Sequence, residues 1–371
     1  MSDAARPDWS GRFRALRHNY AQDRLDALVV STPANLRYLT GFAGSAGVFV
    51  LTGDAAWLIV DGRYTGAVGE GIAAGDLAPV RMEKVEQRVD QTLAGLLHRV
   101  GAKRVGFEPA HVTVATLRSW QTLTSGVEWV ATERLVERRR VVKDRLELAV
   151  LRRAAVLLSG VARDLGRVVA AGRTERDVAR DIDAALDRAG FSEPAFPTIV
   201  ASGPNSAHPH AHPTGRRLAE GDLVVLDFGG VLDGYCVDLT RMAAVGQVSA
   251  RARALFAAVH EAQTAAIATV RAGVTGATVD AAARRVLDAR GLADAFLHST
   301  GHGLGMEVHE APRLSPERSG PAEMLEAGMV CTIEPGAYLD GFAGVRLEDD
   351  VLVTADGCDV LTDAPRDLLV V

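Results

Sequence analysis

An α/β domain followed by an α+β domain with a pseudo-twofold internal repeat is the architecture the sequence predicts. Three observations carry that expectation. Helix-type and strand-type apolar patterns alternate through the first part of the chain. A dense charged stretch, "ATERLVERRRVVKDRLELAV", then interrupts the pattern, which places a boundary near Arg138 and domains at 1–137 and 138–371. Beyond it, one helical unit recurs 101 positions later.

In the N-terminal domain, "RFRALRHNYAQDRL" has helical spacing and "ALVVST" reads as a short apolar strand. "GVFVLT" and "AAWLIVDGRY" continue as strands around a turn at Gly53-Asp54. "VEQRVDQTLAGLLHRV" is an amphipathic helix and "RVGFEP" another strand. The domain holds no cluster of acids and histidines, and "DGRY" at Asp61 to Tyr64 reads as a structural turn. The charged stretch after it is expected to be a solvated linker and helix start.

The repeat aligns "AAGRTERDVARDIDAALDRAG" with "RAGVTGATVDAAARRVLDARG": Gly172 with Gly273, Thr174 with Thr275, Val178 with Val279, Leu186 with Leu287 and Gly190 with Gly291. In each copy a helix is expected to end at the first glycine, threonine to cap the next helix and the last glycine to stop it. After the first copy comes "DLVVLDFGGVLDGYCVDLTRMAAV", two β-type runs flanking Asp-Gly, a tight-hairpin signal. With Asp233-Gly234 as loop residues, Asp227 pairs with Thr240 and Asp238 with Gly229. The two acids then share a face as diagonal neighbours, roughly 7–8 Å apart at Cα. After the second copy comes "MVCTIEPGAYLDGFAGVRLEDDVLVT", again two β runs joined by a Gly-rich loop, carrying Glu334 and Glu348 among apolar neighbours. Taken singly, each acid could be a salt-bridged surface residue. Taken together they form an acidic basin that needs cations, and Arg241 and Arg346 are candidate sources.

Between the second helical copy and its acidic run lies "HSTGHGLGMEVHE". His298 and His302 are four apart, as on a zinc-peptidase helix, but Gly301, Gly303 and Gly305 argue against a helix. The glycines instead let the backbone turn and approach closely, so the segment can present imidazoles to the basin. Four carboxylates and a histidine exceed one tetrahedral zinc. They suit two divalent ions with bridging carboxylates, about 3.5–4 Å apart. A second histidine group, "SAHPHAHPTG", precedes the first hairpin, and its members are either site residues or solvent-facing loop residues.

Composition excludes other classes. The chain has 371 residues, 48% hydrophobic and 24% charged, as in globular enzymes. A net charge of −6 without a basic block argues against nucleic acid as partner. No run reaches membrane-spanning length and the N-terminus has no apolar signal core, so a cytoplasmic protein without membrane contact is expected. Cys236, Cys331 and Cys358 form no CxxC pair and read as reduced thiols.

The stretches "DFGGVLDGYCVDLTR", "GHGLGMEVHE", "TIEPGAY" and "GVRLEDD", in that order, resemble the creatinase/aminopeptidase P/prolidase group of metallopeptidases, which has the pita-bread fold. "NLRYLTGFAGSAG" and "VDGRYTGAV" extend the resemblance to the N-terminal half, and "FPTIVASGPNSAHPHAHP" fits the family's substrate-side loop. The resemblance implies five metal ligands, Asp227, Asp238, His302, Glu334 and Glu348, holding two divalent ions. It implies attack by a metal-bridging hydroxide, with Glu334 also moving the proton. His309 matches a histidine that contacts substrate and stabilises the tetrahedral intermediate, and His210 matches one in the substrate-side loop. His298 and Arg346 match supporting positions; His208 and His212 are rim residues. Oxygen-rich ligation puts Mn²⁺ first, with Co²⁺ and Zn²⁺ as alternatives. The implied substrates are proline-containing peptides and the implied assembly is a homodimer paired through the N-terminal domain.

The leading expectation is an Xaa-Pro aminopeptidase, releasing the residue before proline. The alternative is a prolidase, an Xaa-Pro dipeptidase. A methionine aminopeptidase usually lacks the N-terminal domain, and a creatinase works without metals, so the ligand set speaks against it. From a different class, a non-catalytic pita-bread module binding a peptide partner would need no metal.

Overall fold

A computed structural model describes residues 6–317 and 323–371; the first five residues of the polar N-terminus lie outside it. The chain forms two compact units, Met1–Arg140 and Val141–Val371.

In the first unit the elements are α1 (Trp9–Gln22), β1 (Ala27–Val30), α2 (Pro33–Thr40), β2 (Val48–Thr52), β3 (Ala56–Val60), α3 (Thr65–Ala74), β4 (Arg81–Lys84), α4 (Val89–Arg99), β5 (Arg104–Phe107), α5 (Val114–Leu123), β6 (Glu128–Ala131) and α6 (Glu137–Arg140). The strands form one mixed sheet in the order β4-β3-β2-β1-β5-β6. Strands β1, β2 and β3 are buried at every position, which is why they read as continuous apolar runs rather than alternating ones. The Gly53-Asp54 turn joins β2 to β3 in antiparallel register. Helix α4 covers the sheet with Leu93, Leu96 and Leu97.

The charged stretch is largely exposed and leads into a helix at Arg145, as the sequence suggests, but two of its cations are not solvated. Arg140 is buried and donates to Asn35 Oδ1 at 2.7 Å. Lys143, at the start of the second unit, is buried and donates from Nζ to Glu310 Oε1 at 2.8 Å. Both partners are far away in sequence, so composition alone gives no sign of them.

The second unit begins with α7 (Arg145–Arg163), started by a capping box between Asp144 and Glu147. There follow α8 (Glu175–Ala189), β7 (Glu193–Pro194), β8 (Ile199–Ser202), β9 (Leu223–Leu232), β10 (Tyr235–Ala244), α9 (Ala250–Ile267) and α10 (Gly276–Ala289). Then come β11 (Gly301–Gly303), β12 (Glu310–Leu314), β13 (Val330–Ile333), β14 (Gly336–Leu339), β15 (Ala343–Arg346), β16 (Asp349–Val353), β17 (Cys358–Val360) and β18 (Leu369–Val370). The repeat is visible in the caps: Thr174 accepts from Asp177 N and starts α8, and Thr275 accepts from Thr278 N and starts α10. Gly190 ends α8 in the left-handed region, with φ 99°. Gly172 and Gly273 do not end helices; α7 and α9 stop earlier, and both glycines sit in the turns before the caps with φ 81° and 82°.

Each copy then delivers an acidic strand pair. Strands β9 and β10 form a hairpin whose loop residues Asp233 and Gly234 both have positive φ, and the register pairs Asp227 with Thr240 and Asp238 with Gly229, as the Asp-Gly signal predicts. In the second copy β13 pairs with β16, Ile333 opposite Asp349, while β14 and β15 form a separate two-stranded sheet. Glu334 and Glu348 therefore flank the ends of the paired strands instead of lying within one continuous hairpin. The two strand pairs meet where Asp238 N donates to Asp350 Oδ2 at 3.1 Å and Glu348 N to Thr240 O at 3.3 Å.

Candidate metal centre

Asp227 and Asp238 project from the first hairpin and are buried. Asp227 accepts from Arg346 Nη2, and Glu348 Oε2 accepts from Thr240 Oγ1 at 2.6 Å. Hydrogen bonds between the two strand pairs thus fix acids of both copies around one centre.

The Gly-rich segment supplies the imidazole. It is extended, with β11 lying between β12 and β13. A Cβ on Gly301 would sit 2.0 Å from Thr332 O, and one on Gly303 would sit 1.9 Å from Ala311 O. Only glycine fits on either side of His302 because the neighbouring backbones approach so closely. His302 Nδ1 lies 3.1 Å from Gly303 O. A carbonyl only accepts, so Nδ1 carries the proton and Nε2 is left with a free lone pair. That Nε2 is 3.4 Å from Glu334 Oε1 and 4.0 Å from Asp238 Oδ2. Ligand atoms of Asp238, His302 and Glu348 all lie within 4.8 Å of one another. Burial pushes His302 down to about 4, so it is neutral at pH 7.

His298 Nδ1 is 2.8 Å from Ser299 O and Nε2 is 2.8 Å from Tyr338 OH. Its Nδ1 therefore donates and its Nε2 accepts from the tyrosine. Tyr338 in turn accepts from Arg346 Nη1 at 2.8 Å. His298, Tyr338, Arg346 and Asp227 form one chain of hydrogen bonds. Burial holds His298 down at about 4, which suits a neutral acceptor in that chain. The His309 ring packs on His302 with centroids 4.3 Å apart and stands at the solvent edge. His210 is exposed in the loop after β8, close enough for a charge on it to lower the His309 pKa, an effect second to burial. His208 and His212 are exposed. Arg241 does not serve the basin's ligating acids: it donates to Asp349 Oδ1 at 2.7 Å and to Glu348 O at 2.6 Å, behind them.

Residues 149–355 match the model of metallopeptidase family M24, and residues 12–142 match the creatinase/prolidase N-terminal domain. The chain belongs to metallopeptidase family M24. It is 31% identical to an Xaa-Pro dipeptidase of Pyrococcus furiosus over 94% of this chain and 96% of that one. It superposes on the Xaa-Pro dipeptidase structure from Bacillus anthracis with a TM-score of 0.93 at 31% identity, covering 98% and 100% of the two chains. It also matches the X-Pro aminopeptidase structure from Thermotoga maritima, with a TM-score of 0.86 at 30% identity, covering 94% and 98%. The family's N-terminal domain and pita-bread catalytic domain are both present. Among the described residues no helix is long and apolar enough to cross a membrane.

An M24 metallopeptidase uses divalent metal, and the donor set here fits such ions. Asp227 Oδ1 and Asp238 Oδ1 are buried without a hydrogen-bond partner. Burial, and then the neighbouring carboxylates Glu348 and Asp227, raise Asp238 well above the ordinary range. Burial, then Glu334 and Asp227, do the same to Glu348. Burial lifts Glu334 to about 8, with Arg346 opposing it. One guanidinium cannot balance these acids, and divalent cations would.

A pH dependence follows for the metal-free protein. The folded pKa of Glu334 lies above its ordinary 4.5. The stability contributed by its protonated form is full below the ordinary value and is lost as pH rises through about 8. At pH 7 cation uptake is therefore expected to expel protons. Calorimetric titration in buffers of different ionisation enthalpy should give different heats; identical heats would refute the assignment.

Sequence reasoning gave no site role to Tyr338, Asp350 or Thr240, the last read only as the register partner of Asp227. Each lies inside a quoted motif, "EPGAY", "DLTR" and "LEDD". Thr240 and Asp350 act through bonds across the two copies, to Glu348 and from Asp238 N, and Tyr338 through His298, 40 residues away, contacts that no local pattern reports.

Proposed function

We propose that this chain is an Xaa-Pro dipeptidase whose two divalent cations, Mn²⁺ foremost, are held by Asp227, Asp238, His302, Glu334 and Glu348. The reading is carried by end-to-end similarity, across both domains, to proteins named Xaa-Pro dipeptidases. That similarity favours the prolidase alternative over the aminopeptidase reading that leads on sequence alone. Bound there, the cations would polarise the scissile carbonyl and make a water nucleophilic near neutral pH.

The side chains do the rest. Glu334 takes up the water's proton and delivers it to the proline nitrogen as the C–N bond breaks. His309, packed against His302, donates an N–H to the carbonyl oxygen as negative charge grows on it. His210 contacts the substrate from its loop. Neutral His298 holds Tyr338, which with Arg346 keeps Asp227 oriented. An Xaa-Pro bond has no N–H, so the pocket beyond the scissile bond needs a ring-shaped apolar space and no acceptor. An Xaa-Ala bond would leave its N–H unsatisfied there, at a cost of about 1–3 kcal/mol, or roughly five- to 150-fold in kcat/KM.

The test is a rate comparison on the Mn²⁺-loaded chain. An Xaa-Pro dipeptide is expected to be cleaved faster than Xaa-Pro-Yaa, and Xaa-Pro at least about tenfold faster than Xaa-Ala. The similarity to the Thermotoga maritima aminopeptidase favours a second reading, which predicts the reverse length preference. Equal rates for Xaa-Pro and Xaa-Ala would defeat both. In the same reading the chain is a cytoplasmic homodimer, and a monomer at micromolar concentration by light scattering would count against that assembly.

A further inference from the structure

Glu175, the first residue of α8, is fully buried. A buried carboxylate needs donors to stay charged, and this one has an unusual number. Oε1 accepts from Ser202 N at 2.8 Å, Ser202 Oγ at 2.7 Å and Asn205 Nδ2 at 3.1 Å. Oε2 accepts from Thr214 N at 2.9 Å, Thr214 Oγ1 at 2.6 Å and Asn205 Nδ2 at 3.2 Å. One oxygen holds the start of the 202–214 segment and the other holds its end. All these donors lie in that segment and none in α8. Arg216 Nη1 reinforces the first grip by donating to Ser202 Oγ at 2.6 Å.

The segment carries His208, His210 and His212. Its far side rests on the candidate metal centre's own supports. Gly344 N donates to Ser206 Oγ at 2.8 Å, and Arg346 Nη1 donates to Pro209 O at 3.2 Å. Pro209 immediately precedes His210. The loop is thus held between Glu175 on one side and the Arg346 network on the other. The repeat offers an internal control. The position matching Glu175 in the second copy is Gly276, where a Cβ would lie 2.2 Å from Arg313 O. The helix start needs no carboxylate there; the carboxylate occurs in the copy that has this loop to hold.

We propose that Glu175 is a positioning residue that clamps both ends of the 202–214 loop and so sets the placement of His210, the two acting as one unit in substrate binding. This rests on the reading of His210 as a substrate contact. A double-mutant cycle on the Mn²⁺-loaded chain, with an Xaa-Pro dipeptide, tests it. Glu175→Gln puts an amide where only acceptors fit and is expected to raise KM about tenfold with metal content unchanged. His210→Ala is expected to raise KM similarly, and the double variant to be no worse than either single one. Glu175→Asp, which keeps the charge, should recover part of the loss. In the metal-free protein, Glu175→Gln should speed amide exchange across 202–214 and leave the β9–β10 hairpin unchanged. If Glu175→Gln does not fold, Thr214→Val removes one donor to Glu175, along with the hydroxyl that accepts from Arg216 N at 3.0 Å and Asn205 Nδ2 at 3.4 Å, and should give the same pattern at about threefold. If His210→Ala leaves KM unchanged, the reading of His210 fails and takes the coupling with it. If His210→Ala raises KM but the two losses multiply independently, the clamp proposal alone is overturned.

Discussion

Replacing His309 with alanine is expected to lower kcat by about 10²–10³ while leaving the metal content unchanged. The residue's position separates the two effects. His302 presents a free Nε2 to the acids of both copies, whereas His309 packs against the His302 ring from the solvent edge. A donor there acts when charge develops on the substrate oxygen, not in holding the cations. Steady-state kinetics with metal analysis on the same preparation checks this. A variant that loses metal but turns over normally when saturated with Mn²⁺ would make His309 a ligand instead.

Replacing Arg346 with leucine is expected to destabilise the metal-free protein by about 3–5 kcal/mol, the usual cost of removing one partner of a buried ion pair. Arg346 is buried and donates to Asp227, to Tyr338 OH at 2.8 Å, to Thr240 Oγ1 at 3.2 Å and to Pro209 O at 3.2 Å. Without it, Asp227 faces Asp238, Glu334 and Glu348 with no cation, and the hydrogen-bond chain from His298 ends at Tyr338. Loading with Mn²⁺ should recover part of the loss, because cations replace the missing charge. Denaturant unfolding with and without metal measures both. A loss below about 1 kcal/mol in the metal-free protein would mean that Arg346 is not the counter-ion of this centre.

The sequence carried the parts of this site whose causes are local. Asp-Gly at 233–234 sets a two-residue hairpin, and the hairpin dictates that Asp227 opposes Thr240 and Asp238 opposes Gly229. The alternating glycines around His302 argue against a helix on propensity. Their stronger reason, the approach of Thr332 O and Ala311 O, comes from strands distant in sequence. The second acidic pair was only half legible. Its two runs and its acids are visible, but β14 and β15 pair with each other, leaving Glu334 and Glu348 at the mouth of the β13–β16 pair.

Long-range polar partners account for what stayed hidden. Arg140 and Lys143 look like surface charge because Asn35 and Glu310 lie far along the chain. Arg241 looks like a counter-ion for the basin, yet Asp349, fully buried behind it, receives the guanidinium. In the first unit, β4 went unread for a different reason. It is an edge strand of sequence "RMEK", mostly exposed, and its polar composition hides the strand that pairs with β3.

Metal stoichiometry tests the central claim most directly. The chain, loaded with excess Mn²⁺ and freed of unbound ion, is expected to hold two ions, because Asp238 and Glu348, one acid from each copy, converge with His302 on one centre, Glu334 lies 3.4 Å from His302, and Asp227 Oδ1 and Asp238 Oδ1 are buried and unpartnered. Elemental analysis finding two ions per chain is the predicted result. One ion or none, with Mn²⁺ and again with Zn²⁺ in excess, would contradict it.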